Sequence, residues 1–283
     1  MIIIGIIGIS VSSIFVRYSS APSIVTAAYR LSWTSLLMTP MIFTKRSVRK
    51  ELLSLDKRNV LLSISSGVFL ALHFGFMFEA LKHTSVASTT SIIATEVIWV
   101  SLGYTLILKG KLSFKASLII VFTLLGSVLI AFGDKASSGH LFGDSLALFA
   151  AISVAVYMLI GNVVRKSVTT TVYTYLVYVS GAVVLLLASF LTGNNIFKFG
   201  ISPVIVGLLL AVFSTMMGHT VFSWCLKYFT PSFVSTCKLL EPVVAAIIAV
   251  FLFHELPTVY TVIGGFMILS GVFYYSRIET VNK

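Results

Sequence analysis

Apolar residues run along this chain in long blocks, separated by short polar segments in which glycine, proline and charge collect. The blocks show neither the alternation of a half-buried strand nor the single stripe of a surface helix. They are apolar all round, as helices are when lipid or other helices surround them. Ten blocks can be delimited, at 2–16, 23–44, 60–80, 84–108, 115–133, 143–164, 171–191, 202–226, 231–253 and 257–276. Most approach the roughly 20 residues that cross a hydrocarbon layer. The pattern predicts an all-α polytopic membrane protein with ten transmembrane helices. The first block has no basic leader and no small-residue cleavage site, so it reads as a span and not a signal peptide. At about 15 residues it is short for a crossing, as expected of a chain that lacks some N-terminal residues.

Polar exceptions inside the blocks carry the chemical information. Lys238-Leu239-Leu240-Glu241-Pro242 lies in the middle of the ninth block. A carboxylate at that depth is costly, and Pro242 frees a carbonyl one turn back that lipid cannot satisfy. Charges and broken backbone in mid-membrane face a protein interior or a water-filled cavity, which makes this a candidate site. Lys238 is one turn before Glu241, so a structural ion pair between the two is the competing reading. Glu96 is a second carboxylate, near the middle of the fourth block. Arg30 lies within the second block; it fits either a bidentate clamp on a solute anion or an internal partner for Glu96 or Glu79.

Composition narrows the class. The 283 residues are 58% hydrophobic and only 10% charged, against about a quarter charged in soluble domains. The net charge of +11 does not point to nucleic acid, because the cations sit in short loops and form no single basic face. Starting inside, the cytoplasmic segments hold fourteen Lys and Arg residues, from Lys45 to Lys283, and the opposite side holds four: Arg17, Lys82, Lys135 and Lys198. That bias places both termini in the cytoplasm and supports the count of ten. Cys225 and Cys237 lack the number and spacing of a disulfide framework or metal knuckle and read as packing thiols.

The chain also repeats itself. Ala80-Leu81-Lys82 matches Cys225-Leu226-Lys227, and Glu96 matches Glu241, all at a separation of 145 residues. With a slip of one residue, His73 falls beside His219 and Lys111-Leu112-Ser113 beside Glu255-Leu256-Pro257; Gly126 and Gly271 restore the offset. This predicts two five-helix units, 1–136 and 137–283. Five is odd, so the second unit enters the membrane from the other side. Inverted repeats are characteristic of secondary transporters, whose sites lie near the midplane between the halves.

These residues resemble the EamA family of the drug/metabolite transporter superfamily. The resemblance is carried by Ser12-Ser13-Ile14-Phe15-Val16-Arg17, Pro22, and Ala28-Tyr29-Arg30 with Pro40 in the first unit. In the second it is carried by Gly143-Asp144, Leu148 to Ala151, Tyr157, and the run from Gly218-His219 through Trp224 to Lys227, Leu240 to Pro242 and His254 to Pro257. It implies a plasma-membrane permease of ten helices that exports metabolites such as amino acids or drug-like amphiphiles. The sequence departs from the family pattern at Val97, where proline is frequent, so the fourth helix is expected to keep its charge without a break. Lys111 stands in place of the usual acidic residue.

Other residues divide between site and packing. Tyr29, Trp33, Tyr104, Tyr157 and Trp224 fit an aromatic cavity lining or interface anchors. His73 and His219 fit a proton relay or satisfied core histidines. Ser63, Gly67, Ala71 and Gly75 recur every four residues as a ridge for close helix packing. The expected translocation site comprises Arg30, Trp33, His73, Glu96, Tyr157, His219, Lys238 and Glu241, with Glu96 the proton-exchanging carboxylate. His254-Glu255 lacks the second histidine of a zinc protease, and no phosphate loop or nucleophile elbow is present. The expected partners are a small-molecule solute, the bilayer and a coupling proton, with no cofactor, metal or nucleic acid. A lipid-modifying enzyme or a non-transporting scaffold are the rival readings.

Overall fold

The computed structural model describes residues 1–16, 18–84, 86–133, 141–253 and 257–281. All ten blocks are helical within those residues, and no strand occurs among them. The helices are α1 (Ile2–Ser10), α2 (Ser12–Val16), α3 (Ser23–Thr44), α4 (Arg46–Leu53), α5 (Lys57–His83), α6 (Val86–Ala94), α7 (Glu96–Leu106), α8 (Phe114–Gly133), α9 (Leu141–Val164) and α10 (Thr170–Leu191). They continue with α11 (Ser202–Leu209), α12 (Thr220–Cys225), α13 (Pro231–Lys238), α14 (Glu241–Phe253) and α15 (Val259–Val281). A π-helical stretch, Leu210–His219, joins α11 to α12. By length and composition six helical runs suffice to cross a membrane: Lys57–His83, Leu141–Val164, Thr170–Leu191, Ser202–Cys225, Pro231–Ile248 and Val259–Ile278. Ile2–Val16 and Phe114–Ile130 are shorter apolar helices.

Two hydrophobic cores organise the packing. The larger joins α1, α3, α5, α9, α10 and α12 around Leu31, Leu70, Phe74, Val154, Val177 and Phe222. The smaller joins α7, α8, α13 and α15 around Val97, Ile120, Phe233, Ile268 and Tyr275. Outward faces remain apolar: Phe114, Leu118, Val121 and Leu125 on α8 and Val262, Phe266 and Phe273 on α15 are exposed. A surface of that kind is at home in lipid and not in water.

Helix partners pair across the two halves of the chain. α3 packs on α10, α8 on α15, and α7 on α13; α5 packs on α9 as α1 packs on the π-helical stretch. The α8–α15 contact brings backbones together: a Cβ at Gly264 would lie 2.5 Å from the Gly126 carbonyl oxygen. The expected ridge on α5 holds in part. Ser63 and Ala71 are buried, and a Cβ at Gly67 would meet the Val177 carbonyl at 2.3 Å, but Gly75 faces open space. Among the flanking segments, α4 is an element that the block pattern did not foretell. α5 starts at an Asp56 cap, whose carboxylate accepts from the Asn59 side chain at 2.5 Å and the Asn59 N–H at 3.3 Å. Those bonds hold the Asp56 carboxyl below the usual carboxylate range.

Candidate functional site

Glu96 and Glu241 both stand at breaks in their helices. In the ninth block α13 stops at Lys238, and Leu239 and Leu240 turn back onto Thr236 and Cys237 through three-residue hydrogen bonds before α14 starts at Glu241. Pro242 follows, where its missing N–H is tolerated in the first turn. The fourth block breaks at the matching place, contrary to the expectation from Val97. α6 ends at Ala94, and Thr95 bonds Ile92 O through both its N–H (3.0 Å) and its hydroxyl (2.6 Å). A threonine hydroxyl competing for a backbone carbonyl interrupts the helix without proline.

Across these breaks lies an ion pair. Lys238 Nζ is 2.6 Å from Glu96 Oε1, with both side chains largely buried. The expected pairing of Lys238 with Glu241 is therefore corrected. The Leu239–Leu240 turn separates the two, so they do not share one continuous helix face, and the α7–α13 packing presents Glu96 to the lysine instead. Glu96 is 3% exposed, and its Oε2 has no hydrogen-bond partner among the described residues. Glu241 lies within Coulombic reach of Lys238, Glu96 and Arg30. Two cations and two carboxylates are thus gathered inside the bundle, where a lone buried charge is costly.

Arg30 is 1% exposed but meets neither Glu96 nor Glu79 in an ion pair. Its Nε donates to Thr215 Oγ1 at 2.8 Å, its Nη1 donates to Ser12 Oγ at 3.2 Å, and the guanidinium lies 4.0 Å above the Phe74 ring. Glu79 belongs to an exposed end of α5, beside Lys82 and His83. The π-helical stretch makes the Thr215 contact available: Thr215 Oγ1 also donates to Leu210 O and Thr220 Oγ1 to Thr215 O, both five residues back. Widened turns of this sort often mark functional sites in helices.

The histidines complete the group. His73 Nδ1 donates to Ala150 O at 2.9 Å, and its ring centroid is 6.5 Å from that of His219. His219 contacts Phe74 edge-on at 5.2 Å and Tyr157 at 6.2 Å, and the Tyr157 hydroxyl bonds Ser223 at 2.7 Å. Both histidines are within Coulombic reach of Arg30 and Lys238. Of the eight expected site residues, seven come together. Trp33 donates its indole N–H to Val204 O and ties α3 to α11. Tyr29 bonds Ile196 O, Trp224 meets the Tyr228 ring at 4.6 Å in a tilted contact, and Tyr104 lies against Gly110. Those four aromatics are drawn to packing contacts, and only Tyr157 joins the cluster. Sequence reasoning assigned no site role to Ser12, Phe74, Thr215 and Ser223; Ser12 and Ser223 lie within quoted motif runs and Phe74 follows His73, whereas Thr215 carries no signal of its own. The His254-Glu255-Leu256 motif and Arg17 lie outside the described residues.

Hydrogen bonds tie helix ends and loops together on both sides of the cluster. On one side Glu51 accepts from the Thr169 N–H and hydroxyl at 2.7 Å each, Asn162 donates to Leu226 O, and buried Arg165 donates to Ser223 O and Val168 O. On the other, Ser202 bonds Tyr18 O, Ser20 bonds Phe199 O, Ser23 bonds Phe78 O, and Thr84 donates to Asp144. A separate groove of about 390 Å³, lined by Phe15, Tyr18, Ile205 and Leu209, opens between α2 and α11. It is apolar and apart from the charges.

A lipid-facing helical bundle with balanced buried charges at paired helix breaks is the anatomy of a membrane transport protein. The chain belongs to the EamA-like transporter family, whose model matches residues 1–132 and 141–277. An uncharacterized transporter of Archaeoglobus fulgidus is 26% identical over 87% of this chain and 85% of its own. The uncharacterized transporter YxxF of Bacillus subtilis is 24% identical over 77% of this chain and 70% of its own. A solved crystal structure superposes with a TM-score of 0.82 over all of this chain and 97% of that one, at 15% identity, a likeness of fold.

Proposed function

We propose that this protein is a secondary transporter that exports a small organic solute across the plasma membrane, with a proton as the coupling ion. Its ten spans form two inverted five-helix units, 1–136 and 137–283, and the solute occupies the buried charge cluster between them. The observation that carries this reading is the Lys238–Glu96 ion pair, which joins one unit to the other at the helix breaks. A lipid-modifying enzyme would concentrate its polar groups at one membrane interface, whereas these lie inside the bundle.

The pair suggests how coupling works. Lys238 ends α13 at the turn before Glu241, so it can serve either Glu96 across the interface or Glu241 beyond the turn. Lys238 already neutralises Glu96, which leaves Glu241 as the carboxylate that exchanges a proton. That reverses the expectation from sequence, in which Glu96 is the proton-exchanging carboxylate. Movement of Lys238 from one carboxylate to the other breaks the tie between the units and lets the clasps at the two ends open in turn.

The test is flux in reconstituted vesicles, with and without a pH gradient, against a panel of amino acids and amphiphilic cations. Glu241→Gln should abolish gradient-driven accumulation and leave solute exchange at equal pH partly intact. Glu96→Gln removes the tie between the units and leaves Lys238 to Glu241 alone, so it should impair both. Gradient-driven accumulation that survives Glu241→Gln removes that residue from coupling.

A further inference from the structure

The segment from Lys45 to Arg58 carries six cations, Lys45, Arg46, Arg49, Lys50, Lys57 and Arg58, and two carboxylates, Glu51 and Asp56. Half of that charge is built into a helix with two distinct faces. Val48, Glu51, Leu52 and, beyond its end, Leu55 follow the helical spacing of three and four residues. The three apolar ones pack against the larger core, and Glu51 is bound to Thr169 at the start of α10. Arg46, Arg49, Lys50 and Leu53 have the same spacing on the opposite face. All four are exposed, Leu53 by 80%.

Both carboxylates of the segment are engaged elsewhere, Glu51 at Thr169 and Asp56 at Asn59. The outer face of α4 therefore presents three cations and one protruding leucine. Its inner face is fixed to the bundle by packing and by two hydrogen bonds. A general preference for cytoplasmic cations asks only for charge in a loop. It does not ask for a helix that turns its cations outward while Val48 and Leu52 pack inward.

We infer that the outer face of α4 is a docking surface for anionic phospholipid, with Arg46, Arg49 and Lys50 on the headgroups and Leu53 in the acyl boundary. Charge complementarity selects the occupant: polybasic amphipathic helices beside membrane spans bind anionic lipid surfaces through just these two contributions. The inference is independent of the transported solute and of the coupling mechanism. It makes α4 a fixed bridge from the lipid surface to the first turn of α10.

Native mass spectrometry of the purified full-length protein, titrated with phosphatidylglycerol or phosphatidylcholine, tests it. The wild type should retain phosphatidylglycerol in preference, and the preference should weaken as ionic strength rises. R46Q/R49Q/K50Q should lower phosphatidylglycerol retention about tenfold or more, each charge contributing severalfold. K109Q/K111Q/K115Q removes as many exposed cations from the segment that leads into α8 and should leave retention unchanged. Equal binding of the two lipids by the wild type, equal loss in both triple variants, or displacement of phosphatidylglycerol by excess inorganic phosphate alone overturns the proposal. If R46Q/R49Q/K50Q fails to fold, the wild-type lipid preference and its salt dependence decide.

Discussion

Arg30 shows how far a single residue can be read before its neighbours are known. Its cost in hydrocarbon made it an interior residue from sequence alone, and it is among the most completely buried side chains. What could not be read is that its partners are the hydroxyls of Ser12 and Thr215 and the face of Phe74. Those partners come from helices distant in sequence and have no charge to advertise them. With Nε and Nη1 committed to protein, Arg30 acts first as a tie between α3, the π-helical stretch and the start of α2. Lysine cannot make both bonds or lie flat on the ring. Arg30→Lys should therefore cost about 1–3 kcal/mol of stability, read as a lower unfolding midpoint, and leave apparent solute affinity within about twofold. An unchanged midpoint with a large loss of affinity would return Arg30 to direct solute recognition. Glu96, Glu241 and Lys238 were legible for the same reason as Arg30. Which carboxylate the lysine serves was not, because it depends on a turn of two leucines.

Among the elements, apolar length predicted where helices lie better than how they are interrupted. The break at Glu241 announces itself through Pro242, but the one at Glu96 arises from a hydroxyl of Thr95 that satisfies Ile92 O, and many threonines in helices do no such thing. The π-helical stretch likewise rests on Thr215 and Thr220. On α5 the small-residue ridge made the close contact at Gly67 legible, since glycine in an apolar helix favours backbone approach; the approach of α8 to α15 was not read. α8 and α15 meet at Gly126 and Gly264, where a Cβ at Gly264 would lie 2.5 Å from a carbonyl oxygen and 2.7 Å from the Ile130 side chain. At neighbouring Gly265 the nearest atoms are Val243 methyls at 3.8 Å, an ordinary contact. Gly264→Ala should force the helices apart at a cost of about 1–3 kcal/mol. Gly265→Ala should be neutral or slightly stabilising, because alanine favours helix by about 1 kcal/mol over glycine. Thermal unfolding of the two variants in one detergent checks the contrast. Equal midpoints would mean that α8 and α15 do not approach through these glycines.

For the whole molecule the decisive question is whether the two halves enter the membrane in opposite directions. The pairing of α3 with α10, α8 with α15 and α7 with α13 is what a twofold relation between five-helix units produces, each helix meeting its own counterpart. If every block crosses, five spans separate Ser47 in α4 from Thr192 after α10, and an odd number puts the two positions on opposite sides. The cation bias says which side is which: 45–58 holds six Lys and Arg residues, and 192–201 holds only Lys198. Both positions are exposed, and the native thiols, Cys225 and Cys237, are buried, so a membrane-impermeant maleimide should report the introduced cysteines over a low background. On intact cells Thr192→Cys should label and Ser47→Cys should not; inside-out vesicles should give the reverse. The opposite assignment would keep the inverted repeat and turn the molecule over. Labelling of both from one side would do more damage, because it removes an odd number of crossings between them. The interrupted α6–α7 block would then be the first candidate for a re-entrant segment, and the matched carboxylates would no longer be related by inversion.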